Sequence, residues 1–350
     1  MARRKNLFLP QPTWTFGRLL RAVFVIGLVA ILCGVGWLAY FALTPIEVPP
    51  ASRQFNVGQG KSLKAVAEQF ARTGLISERW SFIILARGLG VAEEVKAGSY
   101  EVAKRVTPQR LLDKIVRGEF TQAEIRFTEG WTVRQIRAVL NQHPAVKHET
   151  TALSNAEILE RIGSKEKSLE GWIFPDTYRF AAGTSDLTLL RQAYQKMQAT
   201  LTEHWEQRAR KLPLRSAYEA LILASIVEKE TGRNDERELV AAVFVNRLKR
   251  GMRLQTDPSI IYGLGETFNG NLTRRHLATD GVFNTYMRAG LPPTPIAMPG
   301  DASIRATLNP AQTPVLYFVS RGDGSHQFSS TLIEHNQAVN KYQKSRSRSR

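Results

Sequence analysis

A single cysteine serves the whole 350-residue chain, and it lies at Cys33, inside an apolar run. The residues beyond that run therefore have no disulfide to form, no thiol nucleophile and no thiolate zinc site. Also missing are a G-x-S-x-G turn, a phosphate-binding loop and a G-x-G-x-x-G after a strand, the usual marks of serine hydrolases and nucleotide enzymes. The histidines (His143, His148, His204, His276, His326 and His335) show no metal-ligand spacing. No metal and no organic cofactor is expected.

Acidic residues are absent from both ends. Residues 1–21 carry Arg3, Arg4, Lys5, Arg18 and Arg21, and residues 341–350 carry five more basic side chains. Of the net charge of +17, only about +8 belongs to residues 51–340, a mild excess compatible with an anionic partner. From Ala22 to Leu43 the chain runs 22 residues without a charge, about 33 Å as a helix and enough to cross a bilayer core. No polar face and no small-x-small cleavage site accompany it, so it reads as a transmembrane helix rather than a buried helix or a signal peptide. The basic flank is N-terminal, and the far flank TPIEVPP has no Lys or Arg. This predicts a cytoplasmic N-terminus, with everything past residue 50 beyond the inner membrane. Nucleic acid is then not an expected partner.

Beyond the span the pattern predicts an α+β fold. Residues 44–53 read as a Pro-rich linker that does not pack. Residues 54–120 open on a strand, a Gly turn and a helix with Leu63, Val66, Ala67 and Phe70 on one face. A second helix, a strand at KAGSYEVAK and a helix started by Thr107 and Pro108 follow. The β-α-α-β order over 54–102, opening V-x-x-G-x-S-L, resembles a LysM-like module, a type that binds N-acetylglucosamine chains. A small packing subdomain without a sugar site fits the same residues. Residues 121–340 alternate helices with short strands as a mixed α+β domain, including a long helix from about Leu187 to Leu212 and a late hairpin around RGDGS. The tail, 341–350, ends in SRSRSR and reads as disordered.

One apolar helix, ILASIVEKETGRN from Ile222, ends in two carboxylates. Glu228 shares a face with Leu221, Ala224 and Ser225, and Glu230 shares one with Ile226 and Val227, so periodicity does not choose between them. Gly232 is expected to cap this helix, which places Glu228 in its last turn. A carboxylic acid held against an apolar wall is what acid catalysis on a glycosidic oxygen uses. Two solvated glutamates at a helix end would do no chemistry. Asp257, in RLQTDPSIIYG, is the obvious second carboxylate for a glycosidase, yet Asp before Pro258 also makes a helix N-cap. Gln255, Thr256 and the stretch Asn284-Thr285-Tyr286 offer amide, hydroxyl and aromatic groups suited to sugars, and GLPPTPIAMPG supplies a stiff loop.

In chain order, EGWIFPDTY, ASIVEKET, VFVNRLKRGMRLQTDPSIIYG, FNTY, GLPPTPIAMPG and LYFVSRGDGSHQFSST closely resemble the endolytic murein transglycosylase family (MltG, or YceG-like). The resemblance spans roughly residues 50–340 and makes 121–340 the catalytic domain. It implies cleavage of the MurNAc-β-1,4-GlcNAc bond within nascent peptidoglycan strands, without water, leaving 1,6-anhydro-MurNAc ends. It carries the catalytic role to the first Glu of the motif, Glu228, and implies a substrate cleft lined by Gln255, Thr256, Asp257, Asn284 and Tyr286. One glutamate suffices, because the muramyl C6 hydroxyl takes the place of water and Asp257 is free to remain a cap. The implied setting is a single-pass protein of the cell inner membrane with a periplasmic catalytic domain, working on peptidoglycan strands alongside peptidoglycan synthases. The alternatives are a non-enzymatic, membrane-anchored glycan-binding scaffold and an ordinary muramidase that uses Asp257.

Overall fold

The computed structural model describes residues 16–58 and 60–344. The expectations for the first fifteen residues and for the SRSRSR end lie outside the described residues. The chain divides into two compact units, residues 1–121 and 122–350.

The first unit begins with α1 (Phe16–Leu43). Its Arg18–Leu43 stretch, which contains 18 residues of mean hydropathy 2.5, is long and apolar enough to cross a membrane. The end of α1 is part of the unit's core, where Phe41 and Ala42 are buried. Then follow β1 (Ile46–Glu47), β2 (Gln54–Val57), α2 (Leu63–Arg72), α3 (Arg79–Gly88), β3 (Gly98–Glu101), β4 (Arg105–Val106) and α4 (Pro108–Arg117). Strand β2 pairs antiparallel with β3, and α2 buries Leu63, Val66, Ala67 and Phe70 as its spacing demands. Thr107 caps α4 ahead of Pro108, and Gly118 ends it in the left-handed region.

Residues 44–53 are not the loose linker expected. Strand β1 pairs with β4, Val48 is buried, and Glu47 forms an ion pair with Arg105 at 2.9 Å. The prolines concealed an alternating Ile46-Glu47-Val48 pattern, one edge of which has apolar surface to bury.

The second unit runs β5 (Gln122–Arg126), α5 (Val133–Gln142), β6 (Val146–Lys147), α6 (Asn155–Ile162), β7 (Thr177–Ala181) and β8 (Thr184–Ser185). It continues with α7 (Asp186–Glu206), α8 (Ala217–Glu230), α9 (Arg237–Lys249), α10 (Asp257–Leu264), α11 (Arg274–Ala278) and α12 (Asp301–Leu308). The end is a hairpin, β9 (Tyr317–Ser320) and β10 (His326–Ser329), and α13 (Leu332–Val339). Among the described residues its strands form two-stranded sheets: β5 with β7 and β9 with β10 antiparallel, β6 with β8 parallel. This is a mixed α+β architecture. Helix α7 stops six residues before the expected Leu212; Lys211 has φ of 63° ahead of Pro213, and the Ala209 N–H turns away to Leu308 O at 2.9 Å.

Helix α8 occupies the centre of this unit. Every residue from Ala220 to Val227 is buried, so α8 has no polar stripe and is packed on all sides. Helices α7, α9, α10 and α12 surround it.

Candidate active site

Helix α8 emerges from the core at Glu228, Lys229 and Glu230. Successive helical residues are turned by about 100°, so these three side chains leave in different directions. Glu228 points towards α12, where its Oε2 accepts the Gly300 N–H at 3.0 Å and the Ser303 hydroxyl at 2.7 Å. Lys229 donates to Gly130 O at 3.3 Å and lines a cavity of about 1020 Å³ with Glu170 and Tyr262. Glu230 lines a different cavity, of about 440 Å³, with Arg247, Gln255, Asp257, Tyr286 and His326. Gly232 does not cap the helix. Thr231 does so in an extended conformation, φ −146°, its N–H bonded to Val227 O.

Although part of Glu230 reaches solvent, its carboxyl end is enclosed by protein. Burial pushes its pKa from 4.5 up to about 7. The Thr256 hydroxyl, donating to Oε1 at 2.5 Å, pulls it down, the nearby Asp257 charge pushes it up, and His326 and Arg247 pull it down. Glu230 thus holds its proton over part of the neutral range.

Gln255 adopts a left-handed φ of 52° and its N–H bonds Thr285 O at 3.1 Å. Its side-chain oxygen accepts from Arg247 at 3.4 Å, which leaves the amide NH₂ to face the cavity's contents. Buried Thr256 is fixed by Thr285, whose Oγ1 accepts the Thr256 N–H at 3.0 Å. Asp257 is not an N-cap. It is the first residue of α10, Thr256 stands at the cap, and the Asp257 carboxylate accepts the Tyr286 hydroxyl at 2.6 Å. The tyrosine offers a stronger donor than the exposed N–H groups of α10.

The structure brings Gln255, Thr256, Asp257 and Tyr286 together around Glu230, not Glu228. Asn284 does not join them. It is buried, and its amide is fully engaged: Nδ2 donates to the carbonyls of His276, Leu277 and Thr279, and Oδ1 accepts from the Tyr286 and Met287 N–H groups. Asn284 shapes the loop that presents Tyr286.

Two further residues escaped the sequence reading. Arg247 is buried, its guanidinium donating to Leu316 O and Leu254 O at 2.7 Å each and lying 5.2 Å from the Tyr317 ring centroid. Its position three and four residues after the buried Phe244 and Val243 was the available signal. His326, one of the histidines without metal-ligand spacing, is clamped by Glu236 through its ring at 2.8 Å and its N–H at 3.0 Å.

Glu170 is another titratable group in the interior. It accepts from the Val133 N–H at 3.1 Å and the Tyr262 hydroxyl at 3.1 Å, tying α5 to α10. Burial raises its pKa from 4.5 to about 7. The folded protein therefore keeps a proton that the unfolded chain releases. The associated stability is complete below about pH 4.5 and is lost as pH rises through about 7. Glu170→Gln is expected to flatten the decline in unfolding temperature between pH 5 and 8 by the equivalent of roughly 3 kcal/mol at most. Calorimetry at both pH values measures it; an unchanged slope would mean that Glu170 is ionised throughout.

The profile of the YceG-like family matches residues 55–341. The chain belongs to the YceG-like family. A Bacillus subtilis relative, named an endolytic murein transglycosylase, is 29% identical over 318 residues, covering 86% of this chain and 88% of its own. A Streptococcus pneumoniae protein of the same name is 26% identical over 350 residues, covering 89% of this chain, which spans only 63% of that longer protein. The crystal structure of a YceG-like protein from Listeria monocytogenes, 26% identical, covers 84% of this chain and 98% of its own with a TM-score of 0.50. Glu228 and Glu230, with Arg247, Gln255, Asp257, Tyr286 and His326 of the Glu230 cavity, lie inside the YceG-like match.

Proposed function

We propose that this protein is a membrane-anchored endolytic lytic transglycosylase, with Glu230 as its acid and base. The observation that carries this reading is the Glu230 cavity: a carboxyl with a pKa of about 7 among the neutral groups of Gln255, Thr256 and Tyr286. The names of the relatives support peptidoglycan as the substrate and transglycosylation as the reaction. The sequence resemblance carried the role to Glu228. Its carboxylate is held by Gly300 and Ser303 on another side of α8, apart from those groups.

In the proposed reaction, protonated Glu230 gives its proton to the oxygen linking MurNAc C1 to GlcNAc as that bond breaks. The Glu230 carboxylate then takes the proton of the MurNAc C6 hydroxyl while O6 bonds to C1, and the glutamic acid is regenerated. No water enters, and the product carries a 1,6-anhydro end. The Gln255 NH₂ is suited to hold the N-acetyl group as charge develops at C1. Asp257 fixes Tyr286 and needs no proton of its own.

Because the first step needs the acid form, the rate is expected to fall as pH rises through about 7. The test incubates the full chain in detergent with peptidoglycan and reads the new ends by mass spectrometry across pH. Reducing ends would instead make the protein a hydrolase. Retained binding with no new ends would favour a glycan-binding scaffold, for which the β-α-α-β order of β2, α2, α3 and β3 provides a LysM-like candidate. We place the anchor α1 in the inner membrane with a cytoplasmic N-terminus, on the strength of its basic flank, and the second unit in the periplasm beside peptidoglycan synthases.

A further inference from the structure

Large exposed apolar side chains outside α1 are few among the described residues, and three of them belong to one short segment. Trp80, Ile84 and Leu89 are 52%, 55% and 52% exposed. Trp80 and Ile84 are four residues apart on α3 and share a face, and Leu89 follows at the end of the helix. The opposite face, with Phe82, Ile83, Leu85 and Ala86, is buried in the unit's core. Arg87 lies beside the exposed ridge, and Arg79 stacks over the Trp80 ring at 5.1 Å. An amphipathic helix with Trp and Ile outward and arginines alongside is the pattern of an element lying in a membrane interface.

The position of α3 points to the same occupant. Helices α1 and α3 pack together, and the Trp37 indole N–H donates to the Ser81 hydroxyl at 3.4 Å. Trp37 lies about 9 Å back along α1 from Leu43, at 1.5 Å per residue. The start of α3 therefore dips below the end of the apolar helix, to the level of its outer turns. Trp37, Tyr40 and Leu43 are 61%, 65% and 63% exposed, so bare aromatic and apolar surface surrounds the contact. Tryptophan and tyrosine at this level are typical of a membrane boundary.

We propose that the Trp80–Ile84 face of α3, with Leu89 just past the end of the helix, lies in the lipid interface beside α1. The first unit is thereby seated on the bilayer, held by two helices instead of one. Lipid satisfies the exposed side chains, and anionic head groups suit Arg87, while Arg79 is paired with Glu68. The inference rests on reading α1 as the membrane span, and the test separates the two.

In nanodiscs of mixed zwitterionic and anionic lipid, a spin label is attached to the native Cys33 of the full-length protein. In a Cys33→Ala background it is attached instead to Trp80→Cys or Ile84→Cys. Both positions are half exposed, so the substitutions leave the core intact. Collision with lipid-soluble oxygen is expected to exceed collision with a water-soluble nickel reagent several-fold at all three sites, most strongly at Cys33. If positions 80 and 84 favour nickel while Cys33 favours oxygen, the span stands and the proposal falls. If Cys33 itself favours nickel, both fall. Labels at 80 and 84 shielded from both reagents would mean a protein surface covers α3, whether a second copy or another chain, and would overturn the lipid assignment.

Discussion

Glu230→Gln is expected to reduce the formation of anhydro-muramyl ends by about 10²- to 10⁴-fold, the range for loss of a general acid and base. The amide keeps the size of the side chain and can still accept the Thr256 hydroxyl, but it has no proton to give. Folding should survive, because the change removes a carboxyl whose charged form burial already disfavours. Glu228→Gln supplies the contrast. Its remaining oxygen can accept from Gly300 and Ser303, so the loss there should stay below about tenfold, the scale of a perturbed positioning contact. Mass spectrometry of the released ends compares the two variants directly. If Glu228→Gln were silent in that assay and Glu230→Gln active, the acid would belong to Glu228 and the cavity geometry would have misdirected the assignment.

The second large effect is on stability. Gly171 has φ of +83°, and a Cβ there would stand 2.5 Å from both Cβ and Cγ of Pro295. Gly171→Ala combines the cost of a left-handed alanine, about 1–2 kcal/mol, with overpacking against a rigid ring, about 1–3 kcal/mol. A loss of about 2–5 kcal/mol is a large part of the usual stability of a domain. Leu221 of α8 is the next atom group in line, at 3.5 Å, so the strain would be passed to the helix that bears Glu230. Urea unfolding gives the number. A loss under 1 kcal/mol would show that the Pro295 loop yields freely.

Where one local pattern decided the outcome, the sequence was readable. The cap at Thr107, the face of α2, and the hairpin around RGDGS all follow from short-range chemistry, and the structure contains them. The choice between Glu228 and Glu230 depended on what stands opposite each, namely Gly300 and Ser303 or Thr256 and the Glu230 cavity, and those neighbours come from 26 to 75 residues away. Asp257 illustrates the same limit. Its local signal as a helix cap was sound, but Tyr286, 29 residues on, claimed the carboxylate. Asn284 was legible as a polar group beside a tyrosine, whereas its inward orientation depends on three carbonyls at the end of α11.

Those three bonds make the Asn284 amide a group the loop cannot lose without being disturbed. Hydrolysis of a single side-chain amide converts asparagine to aspartate, a change that needs no mutation and no enzyme. At position 284 it would replace a donor by a negative oxygen facing the carbonyls of His276, Leu277 and Thr279, the last only 2.6 Å away. The loop would be driven open, and Tyr286 and its hold on Asp257 would move with it. The integrity of the cavity around Glu230 is thus tied to one side-chain amide, shielded from water by its own burial.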